Sequence, residues 1–425
     1  MGSYTEFSVD GYPLVNSKSY AIPEVLAVFR ESDKRILQRR FSERNQMVWG
    51  EVKPEDDELE EVILYQTSAA KIAQRLDIMG FSLRRAEQDF ERLRKEHVEE
   101  LIPDEDDPED LWAEDRAEID RLTFADYAQN LRSVMRRKLR SAPFEDRNNS
   151  DVTRLERYIL DYNEDYIMGY FCSDIRYLIR LACSLVEEDA PVEQDLTEVV
   201  NAGYYQRDEP ISENAIQTLI DDYPANAKII VVTEGSSDTM ILREALTLLY
   251  PHLIEFYSFF DFETSRAPGG ANQIVAVIKA FIAAGISNRV IALFDNDTAG
   301  REAARSLQKI TLPANMALLH YPVLESLRAY PTIGPTGTVL FDVNMLAGSI
   351  ELYLGNDVLG RDHPVQWRGF SEAMRSYQGE VMRKTSLQQK FSHKVEACKL
   401  NRDLMKCTDW DGLDAIWRSV FSVFN

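Results

Sequence analysis

Cysteine is scarce: Cys172, Cys183, Cys398 and Cys407 are the only four in 425 residues, and no two stand at CxxC spacing. The five histidines do not gather beside them. That pattern excludes a zinc module of the usual ligand spacing. Sparse, scattered thiols fit a reducing cytoplasm, which is the expected location. No run of about 18 apolar residues occurs, so no membrane span is expected. The N-terminus lacks a basic stretch leading into an apolar core, so no secretion signal is expected. Met1-Gly2 is followed by Glu6 where a myristoylation signal needs Ser or Thr. Positive charge is also short, with 48 Lys and Arg against 71 Asp and Glu, a net charge of −23. Phosphate repels such a surface, which argues against a general nucleic-acid binder. It leaves open an enzyme with a local positive groove, or one brought to its substrate by a basic partner. Acidic residues also bind metals. No GxxxxGK[ST] pattern is present, so any nucleotide control has to come from another protein.

What is present suggests several domains, because 425 residues exceed one ordinary domain. Residues 1–55 read as a small β-containing module. Tyr4 to Ser8 partly alternates, Asp10-Gly11 is a turn signal, and Tyr12 to Val15 can pair back across it. Glu24 to Ser42 reads as helix. Residues 56–222 read as mostly helical, with Tyr65, Ala69, Ile72, Ala73 and Leu76 at helical spacing on one face, and later Ile159, Tyr162, Tyr166, Ile175, Leu178, Ile179 and Leu181 in a rougher version of it. The acidic run Pro103 to Asp110 lacks the glycine and spacing of an EF-hand and reads as a solvated loop.

Residues 223–322 change character. Lys228 to Thr233 is an Ile/Val run of the kind that forms a buried parallel strand. Strands at Ile254 to Phe259, Arg289 to Phe294 and Ala317 to His320 are expected after it. Helices at Ser236 to Tyr250, Gly270 to Ala284 and Thr298 to Lys309 alternate with them. This alternation implies an α/β fold with a parallel sheet and helices on both faces. Residues 323–425 read as an α+β C-terminal domain, rich in Gly and Pro around Tyr330 to Pro335 and helical later.

In an open parallel sheet, ligands bind outside the carboxyl ends of the strands. Two acidic groups fall there. The first strand runs into Glu234-Gly235-Ser236-Ser237-Asp238, the third into Asp295-Asn296-Asp297-Thr298-Ala299-Gly300. Converging carboxylates repel one another without a cation, and an all-oxygen set suits Mg²⁺ or Mn²⁺. Such an ion polarises a phosphodiester. The surrounding negative field raises a carboxylate's pKa so that it can move protons. The bland alternative is that these acids cap helices, a role that Asp and Ser favour.

These residues resemble the Toprim domain: an apolar strand ending in Glu-Gly, a Gly269-Gly270 segment before a helix, then an apolar strand ending in Asp-Asn-Asp with Ala-Gly following. That resemblance implies a Rossmann-like sheet with Glu234 as general acid/base and possible ligand. It implies Asp295 and Asp297 as metal holders, and Asp238 as an additional ligand. A second resemblance covers the N-terminus. Met1-Gly2-Ser3-Tyr4, Gly11-Tyr12, Ser17 to Tyr20 and Phe29 to Lys34 are similar to the N-terminal module of HEPN/Toprim-associated proteins, bacterial proteins suspected of acting against phages. Together they imply a Mg²⁺- or Mn²⁺-dependent nuclease acting on DNA, or on RNA, in anti-phage defence. A homo-oligomer and a protein partner are expected. A primase-like nucleotidyl transferase and a non-enzymatic sensor or assembly subunit are the alternatives. The former would share the carboxylates but lacks a zinc module here. No segment resembles a topoisomerase tyrosine domain.

Two further features invite functional readings. Arg92 and His97 have the separation of a HEPN ribonuclease pair, with Leu93 where a polar residue is usual. The other possibility is an exposed helix face of mixed charge. Arg132, Arg136, Arg137, Lys138 and Arg140 form the densest basic stretch. They suit either a nucleic-acid groove or an exposed helix offsetting nearby acids. Tyr330 to Pro335, and the stretch from Asp342-Val343-Asn344 through Ser349-Ile350-Glu351, could brace the active site, with Glu351 approaching it; an ordinary connecting loop is the other reading for both.

Overall fold

A computed structural model describes residues 2–102, 113–141, 151–161, 166–222, 227–260, 270–334, 337–360 and 363–424. The acidic run 103–110, Tyr162, Gly269 and Pro335 lie outside the described residues. The chain divides into two compact units, residues 1–222 and 223–423. Among the described residues no helix is long and apolar enough to cross a membrane.

The first unit is built on five strands: β1 (Tyr4–Val9), β2 (Tyr12–Lys18), β3 (Lys34–Arg40), β4 (Leu59–Ser68) and β5 (Pro191–Asp195). Their order is β2-β1-β5-β4-β3, and every neighbouring pair is antiparallel. Asp10 and Gly11 turn the β1–β2 hairpin with φ of 52° and 68°. Two positive φ values are what a two-residue hairpin turn of the tight, right-twisting kind demands. Helices Ala69–Met79, Leu83–Glu100, Phe124–Arg137 and Ile175–Ser184 bury Ile72, Phe90, Leu131 and Ile179 in one core with Phe7, Tyr65 and Val192 of the sheet.

Three sequence expectations are corrected here. Residues 1–55 are not a separate module, because β3 and β4 on either side of that boundary are hydrogen-bonded neighbours. Residues 56–222 supply two strands of the sheet as well as helices. Glu24 to Ser42 is not a helix: Pro23–Leu26 forms one turn, and Lys34–Arg40 is strand β3. This strand is at the edge of the sheet and largely exposed, which is where arginines belong in a sheet because they discourage edge-to-edge pairing.

The second unit contains a parallel sheet of β6 (Ile229–Val232), β7 (Tyr257–Phe259), β8 (Val290–Phe294) and, after the two-residue β9 (Asn296–Asp297), β10 (Met316–His320). The order is β10-β8-β6-β7, all parallel. Helices Ser236–Leu249, Ala271–Ala284 and Thr298–Leu307 connect the strands. From β6 the chain goes first to one side, to β7, then crosses to β8 on the other. The reversal opens a crevice at the carboxyl ends of β6 and β8.

Residues beyond 322 are not an independent domain. They form a second sheet, ordered β12-β11-β14-β15, from β11 (Tyr330–Gly334), β12 (Gly337–Phe341), β14 (Val365–Ser371) and β15 (Ser376–Val381). Between them β13 (Ala347–Gly348) pairs antiparallel with β9. The C-terminal helix Asp411–Phe421 sets Trp417 against Tyr257 and Phe259, and the indole N–H donates to the Leu242 carbonyl at 3.2 Å. This helix therefore completes the core beside β7.

Candidate active site

Glu234 follows β6 by two residues and Asp295 follows β8 directly, so both acids stand at the mouth of the crevice. The backbone N–H of Asp295 donates to Glu234 Oε1 at 3.0 Å, which fixes the two strand ends together. The N–H of Gly270 donates to the Glu234 carbonyl, bringing in the second half of the Gly-Gly segment. Asp238 lies in the first turn of helix Ser236–Leu249 and is buried.

Burial dominates the electrostatics. It pushes the Glu234 carboxyl up to about 7, helped by the charge of Asp297 and opposed by the Asp295 N–H. Burial, then the charge of Glu351, pushes Asp238 up to about 7 as well. Asp295 is driven well above the usual carboxylate range by burial, then by Glu234, Asp238 and Asp297. Lys384 is the cation facing this group. Burial works against its charge, but Glu351, Asp295, Glu380 and Asp238 outweigh burial and raise its pKa.

Asp297 is held differently. Its Oδ1 accepts the Gly300 N–H at 2.7 Å, capping helix Thr298–Leu307, and its Oδ2 accepts from Gln378 Nε2 at 2.7 Å. The cap role that the sequence offered as an alternative is thus present at Asp297. It does not account for Asp295, whose Oδ1 is buried without a hydrogen-bond partner.

Several participants carried little or no sequence signal. Glu351, raised above as a residue that could approach the site, is 2% exposed. It accepts from Ser349 Oγ at 2.8 Å and Gln388 Nε2 at 2.9 Å, and lies 3.8 Å from Lys384 Nζ. Lys384 and Gln378 sit in polar stretches that look like any surface. Tyr321 has a buried hydroxyl without a hydrogen-bond partner. Burial, then Asp238, Asp295 and Glu234, drive its pKa well up, which keeps it a neutral donor beside the acids.

An all-oxygen set at a strand switch point suits a hard divalent cation. The orphaned Asp295 Oδ1 is the atom such an ion would satisfy. Among the described residues, no three His, Cys, Asp or Glu side chains stand close enough together to hold a metal.

The other sequence candidates lie in the first unit. Arg92 is held by Asp89 and Glu96, at 2.6 and 3.0 Å, with half its side chain exposed. His97 is buried against the rings of Tyr166 and Phe171. One points to solvent and the other to the core, so the pair does not form a common site. In the basic stretch, Arg137 is committed to Glu156 and Asp151, and Arg140 donates to the Gln46 carbonyl. Arg132, Arg136 and Lys138 line a groove of about 550 Å³ and, among the described residues, have no side-chain partner.

A family model described as HEPN/Toprim N-terminal domain 1 matches residues 1–218 of the 425. No curated protein and no solved structure matches the chain.

Proposed function

The chain belongs to the HEPN/Toprim N-terminal domain 1 family, and from that premise we propose that its second unit is a Toprim-type catalytic unit hydrolysing nucleic-acid phosphodiesters with Mg²⁺ or Mn²⁺. The observation that carries this reading is the buried, unpartnered Oδ1 of Asp295 beside Glu234 at the crevice between the two central parallel strands. Asp295, Asp238 and Glu234 would hold the divalent ion, with Asp297 beside them. The chemistry it supplies there is neutralisation of charge on the phosphodiester oxygens. Glu234, whose carboxyl burial raises in the metal-free protein, would be the group that exchanges a proton with attacking water or a leaving oxygen. Lys384 supplies a fixed positive charge in the same pocket. Asp297, engaged by Gly300 and Gln378, keeps the helix N-terminus aligned with the two strand ends. The role in bacterial anti-phage defence that the family resemblance implies belongs to this reading.

The test is cleavage of plasmid DNA, single-stranded DNA and RNA with Mg²⁺ or Mn²⁺, comparing the protein with Glu234→Gln and Asp295→Asn. Cutting is expected to fall by about a hundredfold or more in each, the size typical of losing an acid/base or a preorganised charge. Cutting that survives both substitutions overturns the assignment. Template-directed nucleotide incorporation in the same reactions would instead assign nucleotidyl transfer.

The same reading makes Arg132, Arg136 and Lys138 phosphate contacts of the first unit. Changing all three to glutamate is expected to weaken nucleic-acid binding and to flatten its log–log salt dependence by roughly 2 to 3, since each phosphate neutralised contributes about 0.9. An unchanged slope in a salt titration would return these residues to an ordinary exposed helix face.

A further inference from the structure

The sheet that supplies Gln378 to the site also carries an exposed run of aromatic rings. Phe341 of β12 packs on Trp367 of β14 with ring centres 5.5 Å apart, Trp367 on Tyr377 of β15 at 6.2 Å, and Tyr377 on Phe370 of β14 at 5.1 Å. Phe370 and Tyr377 are cross-strand partners, and a register shift after Trp367 brings that ring against Tyr377. Phe341, Phe370 and Tyr377 are 49%, 48% and 58% exposed, where rings of a folded core would be hidden. A contiguous apolar face of this kind marks an interaction surface.

Its position says what occupies it. Gln378 reaches Asp297, while the carbonyl of Tyr377 accepts from Thr298 Oγ1 at 2.7 Å, so the strand that displays Tyr377 also anchors the helix behind the carboxylates. Alternation along β15 sends Gln378 to the site and Tyr377 to the aromatic face. β15 is the edge of its sheet, so a flexible strand lying on the rings needs only to pass over one strand edge to reach the acids. Arg375, in the turn beside the Phe370–Tyr377 pair, is exposed and has no side-chain partner among the described residues, leaving it free for a phosphate. A chain of net charge −23 gains little from a long electrostatic track. Base stacking on aromatic side chains contributes affinity that does not depend on net charge.

Resting on the phosphodiesterase reading above, we propose that Phe341, Trp367, Phe370 and Tyr377 form a stacking platform for unpaired bases, so that the substrate is single-stranded nucleic acid. A duplex keeps its base faces stacked on one another and cannot use the platform.

The test is fluorescence anisotropy in EDTA with labelled oligo(dT), oligo(U) and a duplex of matched length, using the full chain. Oligo(dT) and oligo(U) together separate a DNA from an RNA preference on the same rings. Phe370→Ala and Tyr377→Ala are each expected to weaken single-strand binding by about fivefold or more, the lower end of one base–aromatic stack. Tyr377→Phe keeps the ring and is expected to bind like the parent. Duplex binding is expected to be weaker and indifferent to all three changes. Single-strand affinity unaltered by ring removal overturns the proposal. So does sedimentation showing that ring removal only dissociates an oligomer, which would assign the face to a second copy of the chain. Binding is read without metal and again in the Glu234→Gln background. Cleavage of the same oligonucleotides is read separately in the parent protein with Mg²⁺. Ring-independent binding sinks the platform, while ring-dependent binding by a parent protein that does not cut with Mg²⁺ sinks the carboxylate reading.

Discussion

Asp295→Asn is expected to raise the thermal midpoint of the metal-free protein at pH 8 while abolishing cleavage. The acids of the crevice are buried close together, and burial drives Asp295 well above the usual carboxylate range. Glu234 moves from 4.5 to about 7 and Asp238 from 3.8 to about 7. A folded-state pKa above the unfolded value means that the folded protein binds the proton more tightly. As pH rises through 4 to 7, the unfolded chain releases these protons first, so stability falls. Below about 4 the acids are protonated in both states and the penalty vanishes; above 7 it is fully present. The two displacements correspond to roughly 3 and 4 kcal/mol, less whatever the two acids share. Asparagine keeps the shape of Asp295 and removes its charge. A higher thermal midpoint than the parent's is expected at pH 8, and no difference at pH 4. Saturating Mg²⁺ should stabilise the parent protein and leave the variant little changed, since binding to the folded state alone adds stability. Scanning calorimetry at pH 4 and pH 8, with and without Mg²⁺, reads all four conditions. A variant less stable than the parent at pH 8 would mean that the acids are not under mutual strain.

The legible parts of this protein were those where local chemistry and tertiary role coincide. Ile229–Val232 and Val290–Phe294 are apolar because both faces of a parallel strand are covered, and the acids after them stand out by contrast. β5 was illegible for the opposite reason. It is a central strand, yet its sequence Pro-Val-Glu-Gln-Asp buries Val192 and Gln194 on one face and turns Glu193 and Asp195 to a polar one. β3 misled because Ile36 and Leu37 are exposed on an edge rather than buried on a helix. At the site, Glu351, Gln378 and Lys384 arrive through the pairing of β13 with β9 and the packing of β15 on helix Thr298–Leu307. Such contacts, made across 50 to 90 residues of sequence, leave no spacing to read. Arg92 and His97 show the converse error, a suggestive spacing whose two side chains face different environments.

Gly300→Ala is expected to remove cleavage while costing modest stability, the reverse of what its place in a helix suggests. Alanine is ordinarily the better helix former by about 1 kcal/mol. Here an added methyl group would lie 2.7 Å from the Asp295 carbonyl, 3.1 Å from Glu234 Oε1 and 3.3 Å from Asp297 Oδ1. The first of these is backbone, so the helix start or the end of β8 must move. Glycine is thus required for close approach: three of the residues that define the site converge on the space a side chain would fill. The same shift loosens the Gly300 N–H bond to Asp297, the helix cap, which is worth about 1 kcal/mol. Overpacking adds about 1–3 kcal/mol, partly offset by the helix preference. The larger effect is on chemistry, because displacing catalytic groups by about 1 Å costs on the order of a hundredfold in rate. Gly369→Ala is the control, since nothing lies within 4 Å of the added methyl group there and its backbone needs no positive φ. It should leave the thermal midpoint unchanged. If Gly300→Ala cleaves at the parental rate, then Glu234, Asp295 and Asp297 need not be held as tightly as the geometry implies, and the reactive group must be sought elsewhere in the crevice.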